Sequence, residues 1–360
     1  MLNKQEKAIL FLTGCDFITY KKQLKIVEEV VLDNLFDNFT QFIEDVSTIL
    51  TQKEIDKLKE EFDEVKLNNY ISNLNSANIS VVTIMSSNYS KLLKEIDNPP
   101  LLLYAKGDVS LLNSTCVAIV GTRRASRYGK DVTEQFSSAL AKSGVTIVSG
   151  LADGVDTFSH QSCVNAKGKT IAVLGGGINN IYPATNTNLA NKIIETGGLI
   201  VSEYKPNEKP QTYYFPVRNR IIAGLSKAVL ITEATEKSGS MHTKNYALEF
   251  GREVFAVPGR INDIYSSGCN KIIKTCQSAI ALEPNDVLNF LGKNFVENQT
   301  KVVQYSLTDK IILDIIDVNE VHYEEILAKS GLDSKELNTN LIRLELKNLI
   351  KKLPGNFYSK

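Results

Sequence analysis

The sequence has 360 residues, of which 43% are hydrophobic and 23% are charged, which is typical of a globular chain of two or three domains. Its formal net charge is zero, so the total charge does not predict a nucleic-acid partner, and only the charge distribution can. Five cysteines without a CxxC pair and three histidines favour neither a zinc cluster nor a disulfide framework, and we expect no metal and no cofactor.

Residues 1–66 are predicted to form a small helical domain, because apolar side chains recur there every three or four positions among Lys and Glu. Thr51 and Glu54 have the spacing of a capping box, which predicts the start of its last helix. The apolar stretch at residues 8–12 is too short for a signal-peptide core or a membrane span. We therefore expect a cytoplasmic protein without a membrane span.

Residues 67–106 are predicted to be a connecting segment that ends at the entrance to the next domain. Pro99 and Pro100 forbid a helix there, and an apolar strand follows them.

Residues 107–292 are predicted to form an α/β domain. Short, β-branched apolar runs alternate here with helical stretches, and the six runs are residues 116–120, 145–148, 170–174, 199–201, 228–231 and 253–257. Strands this apolar, without polar alternation, are buried on both faces. The pattern predicts an extended Rossmann-like, doubly wound and mainly parallel sheet.

A charged, Asn-rich linker is predicted at residues 293–305, followed by a winged-helix-like domain at 306–360. Its three predicted helices are residues 307–318, 323–330 and 334–349, with a short wing at 353–358. Such modules often bind DNA through the third helix. Residues 301–360, however, carry nine basic and nine acidic side chains. This balance favours a protein partner over DNA.

Anion-binding chemistry is predicted to be concentrated in the α/β domain. Between residues 107 and 290 there are 19 Lys and Arg residues against 15 Asp and Glu residues, and seven of the eight arginines lie in this stretch. Four segments there follow strands with small or polar residues: 120–129, 149–156, 175–177 and 233–240. Each is expected to present bare amides to a phosphate, because ligands of open α/β sheets bind beyond the carboxyl ends of the strands.

The first of these segments carries Arg123, which we predict to lie at that edge beside Ser149 and Gly150. A GxGxxG fingerprint is absent at Gly121, which disfavours a nicotinamide cofactor. Asp153 and Asp156 resemble a paired acid and base, but they are interpreted as caps of a helix that begins near Gly154. His160 and His242 lack partners at motif spacing and are interpreted as hydrogen-bonded structural residues.

The segment 215–226 combines two guanidinium groups, an amide and an aromatic ring. Arg218 and Arg220 flank Asn219, and Phe215 precedes them. Guanidinium binds phosphate oxygens in pairs, and a phenyl ring offers a face on which a base can stack. These side chains suit single-stranded nucleic acid. The alternative interpretation is a helix with a solvated basic face.

Together the motifs of this domain resemble the DNA-processing protein A (DprA/Smf) family of bacterial DNA-uptake and recombination-mediator proteins. Agreement runs in the family's order from about residue 97 to 282. The residues that carry it are Val120-Gly-Thr-Arg123 with Ser126, Tyr128 and Gly129; Ser149-Gly-Leu-Ala152 with Gly154, Asp156 and His160; residues 170–177 with Tyr182 and Pro183; Gly197 and Gly198 with Ser202-Glu-Tyr204; Phe215 and Pro216 with Arg218-Asn-Arg220; Ser238-Gly-Ser240; and residues 251–259.

The resemblance implies a Rossmann-like domain that binds single-stranded DNA in a basic pocket, protects it and helps to load a RecA-type recombinase. It also implies a homodimer and no chemical reaction. By the same resemblance, the residues that bind DNA are Gly121, Thr122, Arg123, Ser149, Gly150, Phe215, Arg218, Asn219 and Arg220.

The chain departs from the family's pattern in two places. Many relatives carry a basic residue shortly before the Phe-Pro pair, whereas residues 211–214 are Gln-Thr-Tyr-Tyr and the nearest cation is Lys209. Many also carry a Gly-rich signature near the N-terminus, and this chain has only Thr13-Gly-Cys-Asp16. The first departure puts part of the electrostatic contact in question, and the second puts a DNA role for residues 1–66 in question.

One alternative function is an enzyme. Nucleotide-monophosphate ribohydrolases have a related fold and use an Arg and a Glu in a Gly-rich pocket that includes a Pro-Gly-Gly-x-Gly-Thr loop. This chain has residues 233–240 in that place instead, which favours binding over hydrolysis. A structural adaptor that acts through its end domains is compatible with DNA binding.

Overall fold

The computed structural model describes residues 2–293, 306–316, 320–346 and 349–359. The chain has two compact units, Met1–Phe295 and Val296–Lys360. The finer domain boundaries at residues 66, 106, 292 and 305 stay predictions, and all of the predicted linker except Lys293 lies outside the described residues.

The first unit begins with six helices: α1 (Lys4–Gly14), α2 (Tyr20–Glu29), α3 (Asn34–Asp37), α4 (Phe39–Val46), α5 (Gln52–Glu61) and α6 (Glu64–Ser76). The predicted capping box at α5 is confirmed, since Thr51 Oγ1 accepts from the Glu54 amide and the Glu54 carboxylate accepts from the Thr51 amide. The apolar faces of these helices do not form a separate core. Buried side chains such as Ile9, Phe42 and Leu58 belong to one cluster that continues into the sheet.

The sheet has nine strands in the order β1-β2-β6-β5-β4-β3-β7-β8-β9. They are β1 (Ser80–Thr83), β2 (Leu102–Gly107), β3 (Cys116–Val120), β4 (Thr146–Ser149), β5 (Thr170–Val173), β6 (Leu199–Ser202), β7 (Ala228–Ile231), β8 (Glu253–Ala256) and β9 (Ala279–Ile280). The strands from β3 to β9 pair in parallel, while β1 pairs antiparallel with β2 and β2 with β6. The predicted mainly parallel sheet is confirmed, with strand ends within one residue or so of the predicted runs.

Both faces of the sheet are covered. In β3, Val117 and Ile119 belong to one buried cluster, whereas Cys116, Ala118 and Val120 belong to the other. This is why the strands lack polar alternation. The helices of this part are α7 (Lys91–Lys94), α8 (Arg127–Lys142), α9 (Val155–Asn165), α10 (Thr187–Glu195), α11 (Tyr214–Leu225), α12 (Ser240–Glu249), α13 (Ser267–Lys274) and α14 (Pro284–Phe290).

The strand order places a topological switch point beside β3. The chain moves from β3 outward through β4, β5 and β6 and then returns to β7 on the other side of β3. The loops after β3 and β7 therefore leave in opposite directions, which opens a crevice at the carboxyl ends of these strands.

The second unit contains α15 (Leu307–Ile315), α16 (Tyr323–Ser330) and α17 (Ser334–Leu346) with a three-stranded sheet, β10 (Val321–His322), β11 (Lys351–Leu353) and β12 (Phe357–Ser359). The predicted three helices and wing are confirmed. The predicted last residues of α15 and α17 fall on or beside positions 317–319 and 347–348, which lie outside the described residues. Ile312, Ile326, Leu337, Leu341 and Leu344 form its separate core.

Among the described residues, no helix is long and apolar enough to cross a membrane. The same residues contain no group of three or more His, Cys, Asp or Glu side chains that could hold a metal ion.

Candidate nucleic-acid interface

A cleft of about 580 Å³ opens at the switch point. Its walls come from the end of β3, from the loops that follow β3, β4, β5, β6 and β7, and from helices α9, α11 and α12. The cleft is lined by Val120, Gly121, Thr122, Arg123, Arg124, Ala152, Asp156, Tyr182, Thr212, Phe215, Pro216, Arg218, Asn219, Ile222, Thr235, Ser238, Gly239, Ser240, His242 and Thr243. Six of the nine residues proposed from the sequence are in this set, and Ser149, Gly150 and Arg220 are not.

The loop after β3 is fixed to the loop after β7 through Glu233. The Thr122 amide donates to the Glu233 carbonyl at 2.8 Å, and the buried Glu233 carboxylate accepts from the Ser126 amide at 2.8 Å. Gly121 is needed for this close approach, because a β-carbon there would lie 2.6 Å from the Glu233 carbonyl oxygen. The bracing leaves Arg123 exposed at the tip of the loop.

The loop after β4 lies beneath the cleft surface. Ser149 is fully buried, and its hydroxyl donates to the Ile119 carbonyl at 2.7 Å. The amides of Gly150 and Ala152 donate to the Asp156 carboxylate at 3.1 and 3.4 Å. Ser149 and Gly150 therefore hold the loop in place.

The interpretation of Asp153 and Asp156 as helix caps is wrong. Helix α9 has Gly154 as its N-cap, at a φ of +75°, without a side-chain cap bond, and Asp153 is exposed. Asp156 is instead buried and accepts the loop amides. Burial raises the pKa of its carboxyl group, while the nearby Arg218 guanidinium has the opposite effect.

Arg218 is only 4% exposed. Its Nη1 donates to the Gly150 carbonyl at 2.7 Å and to the Val173 carbonyl, and its Nε donates to Asn219 Oδ1 at 3.1 Å. Burial and the like charge of Arg123 lower the pKa of Arg218 to about 10, although the opposite charge of Asp156 raises it. The guanidinium thus joins the ends of β4 and β5 from within the cleft wall.

Arg220 lies away from the cleft lining although it is two residues further along α11. Its Nη2 donates to both carboxylate oxygens of Glu203, at 2.5 and 2.7 Å, and the side chain is buried. This pair ties α11 to the segment after β6. The geometry gives Arg220 an internal partner where the sequence predicted a phosphate.

Phe215 and Arg123 meet at the surface of the cleft. The Arg123 Cζ lies over the Phe215 ring, 5.4 Å from its centroid, which is a cation–π contact. The Tyr182 ring lies 5.5 Å from Phe215, at an angle of 42°. Gly175 allows Phe215 to sit against the loop after β5, because a β-carbon there would lie 2.7 Å from Phe215 Cδ1.

In the glycine run 175–177, the expectation of a bare amide is wrong at Gly177. The Gly177 amide donates to the Glu208 carbonyl at 2.8 Å, and the Gly176 carbonyl accepts from the Ser202 hydroxyl at 2.7 Å. Gly177 packs against backbone, since a β-carbon there would clash with the Lys205 and Pro206 carbonyl oxygens. By contrast, Ser238 and Gly239, which follow β7, line the cleft as expected.

The structural interpretation of His160 is confirmed. Its Nδ1 lies 2.7 Å from Thr170 Oγ1, the ring is fully buried, and burial lowers its pKa to about 3. His242, in contrast, lines the cleft.

Sequence reasoning assigned no role to Tyr182 or to Glu233. Tyr182 belongs to one of the motifs that resemble the family, but it lies in an irregular segment and the sequence gives no signal that Phe215 is its neighbour.

Two protein-family models match the chain. The model of DNA recombination-mediator protein A matches residues 80–292, and the model of the DprA winged helix domain matches residues 306–356. The chain is 45% identical over 203 residues to the DNA processing protein DprA of Bacillus subtilis, covering 56% of this chain and 68% of that protein.

Two solved structures agree with this match. The DNA processing protein A of Streptococcus pneumoniae superposes with a TM-score of 0.67 at 33% identity, over 79% of this chain and 97% of that chain. The DNA processing protein A of Helicobacter pylori, solved for its single-stranded DNA binding mode, superposes with a TM-score of 0.54 at 34% identity, over 59% of this chain and 95% of that chain. Because the first family model alone covers more than half of the sequence, this chain belongs to the DNA recombination-mediator protein A (DprA/Smf) family.

Proposed function

We propose that this protein binds single-stranded DNA in the cleft at the carboxyl edge of its sheet, protects it and helps to load a RecA-type recombinase during DNA uptake or recombination. The observation that carries the proposal is the exposed guanidinium of Arg123 over the ring of Phe215 in that cleft. The single-stranded DNA binding mode of the similar Helicobacter pylori protein supports the choice of ligand.

The charge of the cleft supports a polyanion. Its lining includes Arg123, Arg124 and Arg218, against Asp156 as the only acidic residue among the described lining residues. Phosphate contacts by arginine release counterions, and an aromatic ring stacks on any base. Bases are available for stacking in a single strand, whereas they are paired and stacked within a duplex. The combination therefore favours a single strand.

The nine residues proposed to bind DNA fall into two groups. We assign direct contact to the exposed or half-buried residues of the lining, which are Arg123, Phe215 and Asn219, whereas Thr122 is buried and its Oγ1 accepts from the Arg124 amide at 3.2 Å. The others support them: Gly121 gives the first loop its close packing, and Ser149, Gly150, Arg218 and Arg220 are buried and hydrogen-bonded within the protein.

The segment before the Phe-Pro pair, where many relatives carry a basic residue, contributes an uncharged residue to the cleft lining. Thr212, which lines it, is an uncharged residue of the segment 211–214. We infer that this protein makes fewer phosphate contacts there than relatives with a basic residue and depends more on stacking.

The geometry gives little support to a ribohydrolase-like enzyme. Such a reaction needs a carboxylate that faces the substrate, and the carboxylate of Asp156 already accepts two loop amides beneath the cleft. Glu233, in the loop after β7, is 1% exposed and bound to Ser126. We therefore propose a binding protein without a catalysed reaction.

Three of the remaining parts of the proposal rest on the family alone, and the fourth rests on the balanced charge of residues 301–360. A recombinase partner accords with the description of the family as recombination mediators. A homodimer and a cytoplasmic location are proposed on the same basis, and the winged-helix unit is proposed to bind a protein partner.

The test is a binding titration with single-stranded and double-stranded oligonucleotides of equal length over a series of salt concentrations. We expect the single strand to bind at least about tenfold more tightly and its affinity to fall with salt. Equal or tighter binding of the duplex would refute the proposed ligand.

A further inference from the structure

This inference rests on the proposed function and concerns Tyr182, the aromatic residue of the cleft that lies beside Phe215. We infer that the ring of Tyr182 is the principal face on which a DNA base stacks, and that Phe215 supports this ring from behind. Neither the sequence motifs nor the family comparison assigns a ligand contact to Tyr182.

The Phe215 ring already has neighbours in the absence of DNA. Arg123 lies over it with its Cζ 5.4 Å from the ring centroid, and Tyr182 lies 5.5 Å away. Gly175 packs against its edge so closely that a β-carbon would lie 2.7 Å from Cδ1. A base that stacked on Phe215 would have to displace the Arg123 guanidinium from the ring.

Tyr182 has no such cover. It lines the cleft, and 51% of its surface is exposed although it is a large aromatic residue. Its contact with Phe215 leaves much of the ring accessible, and exposed rings of this kind are the usual platforms for single strands.

The segment that carries Tyr182 is anchored on both sides. Before it, the Asn180 side chain donates to the Glu208 carbonyl at 3.1 Å, and Ile178 is buried. After it, the Asn186 side chain donates to the Leu151 carbonyl at 2.9 Å and to Thr157 Oγ1 at 2.8 Å. Tyr182 is thus presented by a fixed segment, so little ordering entropy opposes stacking.

The arrangement fits one nucleotide of a single strand. Arg123 and Tyr182 lie on the same ring, each within 5.5 Å of the Phe215 centroid. A base on Tyr182 therefore places its phosphate near a guanidinium that is free to leave Phe215 for it. Every base has a π-face that can stack on Tyr182, so the contact does not depend on the DNA sequence. We expect little preference among the four bases.

The test compares Tyr182→Leu, Tyr182→Phe and the control Tyr213→Leu in the full-length protein. Tyr213 is a tyrosine of similar exposure, 65%, that lies outside the cleft lining. The probe is an oligodeoxythymidine with one 2-aminopurine, whose fluorescence is quenched when it stacks. Affinity and quenching are measured together, and thermal melting verifies that each variant is folded.

We expect Tyr182→Leu to weaken binding at least about fivefold and to reduce the quenching, whereas Tyr182→Phe and Tyr213→Leu remain within about twofold of the wild type. Wild-type affinity and quenching in a folded Tyr182→Leu protein would refute the inference. If Tyr182→Leu binds like the wild type while Arg123→Ala weakens binding, the role of Tyr182 is refuted and the proposed function stands. Failure of the wild type to bind single strands would refute the proposed function as well.

Discussion

Arg123 and Arg218 line one cleft but lie in different surroundings. Arg123 is exposed at the tip of the loop after β3, with its guanidinium over an aromatic ring. Arg218 is 4% exposed and donates to main-chain carbonyls at the ends of β4 and β5. The exposed guanidinium of Arg123 can exchange water for phosphate. The buried guanidinium of Arg218 stabilises the fold that places Arg123 in the cleft. Substitutions should therefore separate DNA affinity from stability.

The largest effect is expected for Arg218→Ala. The change removes the donor to the Gly150 and Val173 carbonyls and the charge that faces the buried Asp156. We expect the free energy of unfolding to fall by roughly 3–5 kcal/mol, measured by denaturant titration, with loss of DNA binding as a consequence. A variant with unchanged stability that no longer binds DNA would instead make Arg218 a direct ligand contact.

A glycine pair provides the control for this site. A β-carbon at Gly150 would lie 2.5 Å from Nη2 of Arg218, whereas one at Gly239 would have no atom within 4 Å. We expect Gly150→Ala to destabilise the protein and Gly239→Ala to change its stability by less than about 0.5 kcal/mol.

Arg123→Ala tests the other side of the comparison. We expect single-stranded DNA affinity to fall about tenfold, or about 1.4 kcal/mol, and the salt slope to decrease by about 0.7, since one phosphate contact is lost. The unfolding midpoint should not change. Arg260→Ala, an exposed arginine outside the cleft lining, is the matched control and should bind normally. Equal losses in both variants would indicate only a general charge effect.

The stability of the protein should also depend on pH through the buried His160. Its folded-state pKa is lowered to about 3 from an ordinary value of 6.5, so the unfolded chain binds the extra proton first as the pH falls. Stability from this group is complete above pH 6.5 and is lost progressively toward pH 3. Between pH 7 and 5.5 we expect the wild type to lose about 1 kcal/mol more than His160→Gln. Parallel stability curves for the two proteins would contradict this.

The smallest effect on DNA binding is expected for removal of the winged-helix unit. A chain that ends at Asn298 keeps the whole first compact unit and every cleft residue. We expect its affinity for single strands to remain within about twofold of the full-length value and an assembly or partner-binding step to be impaired. If the salt slope of the truncated protein were smaller than that of the full-length protein by two or more units, the winged-helix unit would contact several phosphates.

The sequence was sufficient to predict the six strands β3 to β8, because each is a short, mostly apolar run that is buried in the sheet, whereas the partly exposed β1 and the two-residue β9 were not predicted. It also predicted that Arg123 lies at the carboxyl edge of the sheet. It was not sufficient to predict that Arg218 and Arg220 are buried and hydrogen-bonded within the protein, since Gly150, Val173 and Glu203 approach them only in the folded chain. The spacing around Asp156 likewise resembled a cap, although its partners are amides of the preceding loop.

The central claim, that the cleft holds the single strand, is tested most directly by photocrosslinking an oligonucleotide that contains 4-thiothymidine and identifying the linked peptides by mass spectrometry. We expect crosslinks in the segments that carry Arg123, Tyr182 and Phe215, and their loss when an excess of unmodified single strand competes. Crosslinks confined to residues 306–360, with none in those three segments, would contradict the account.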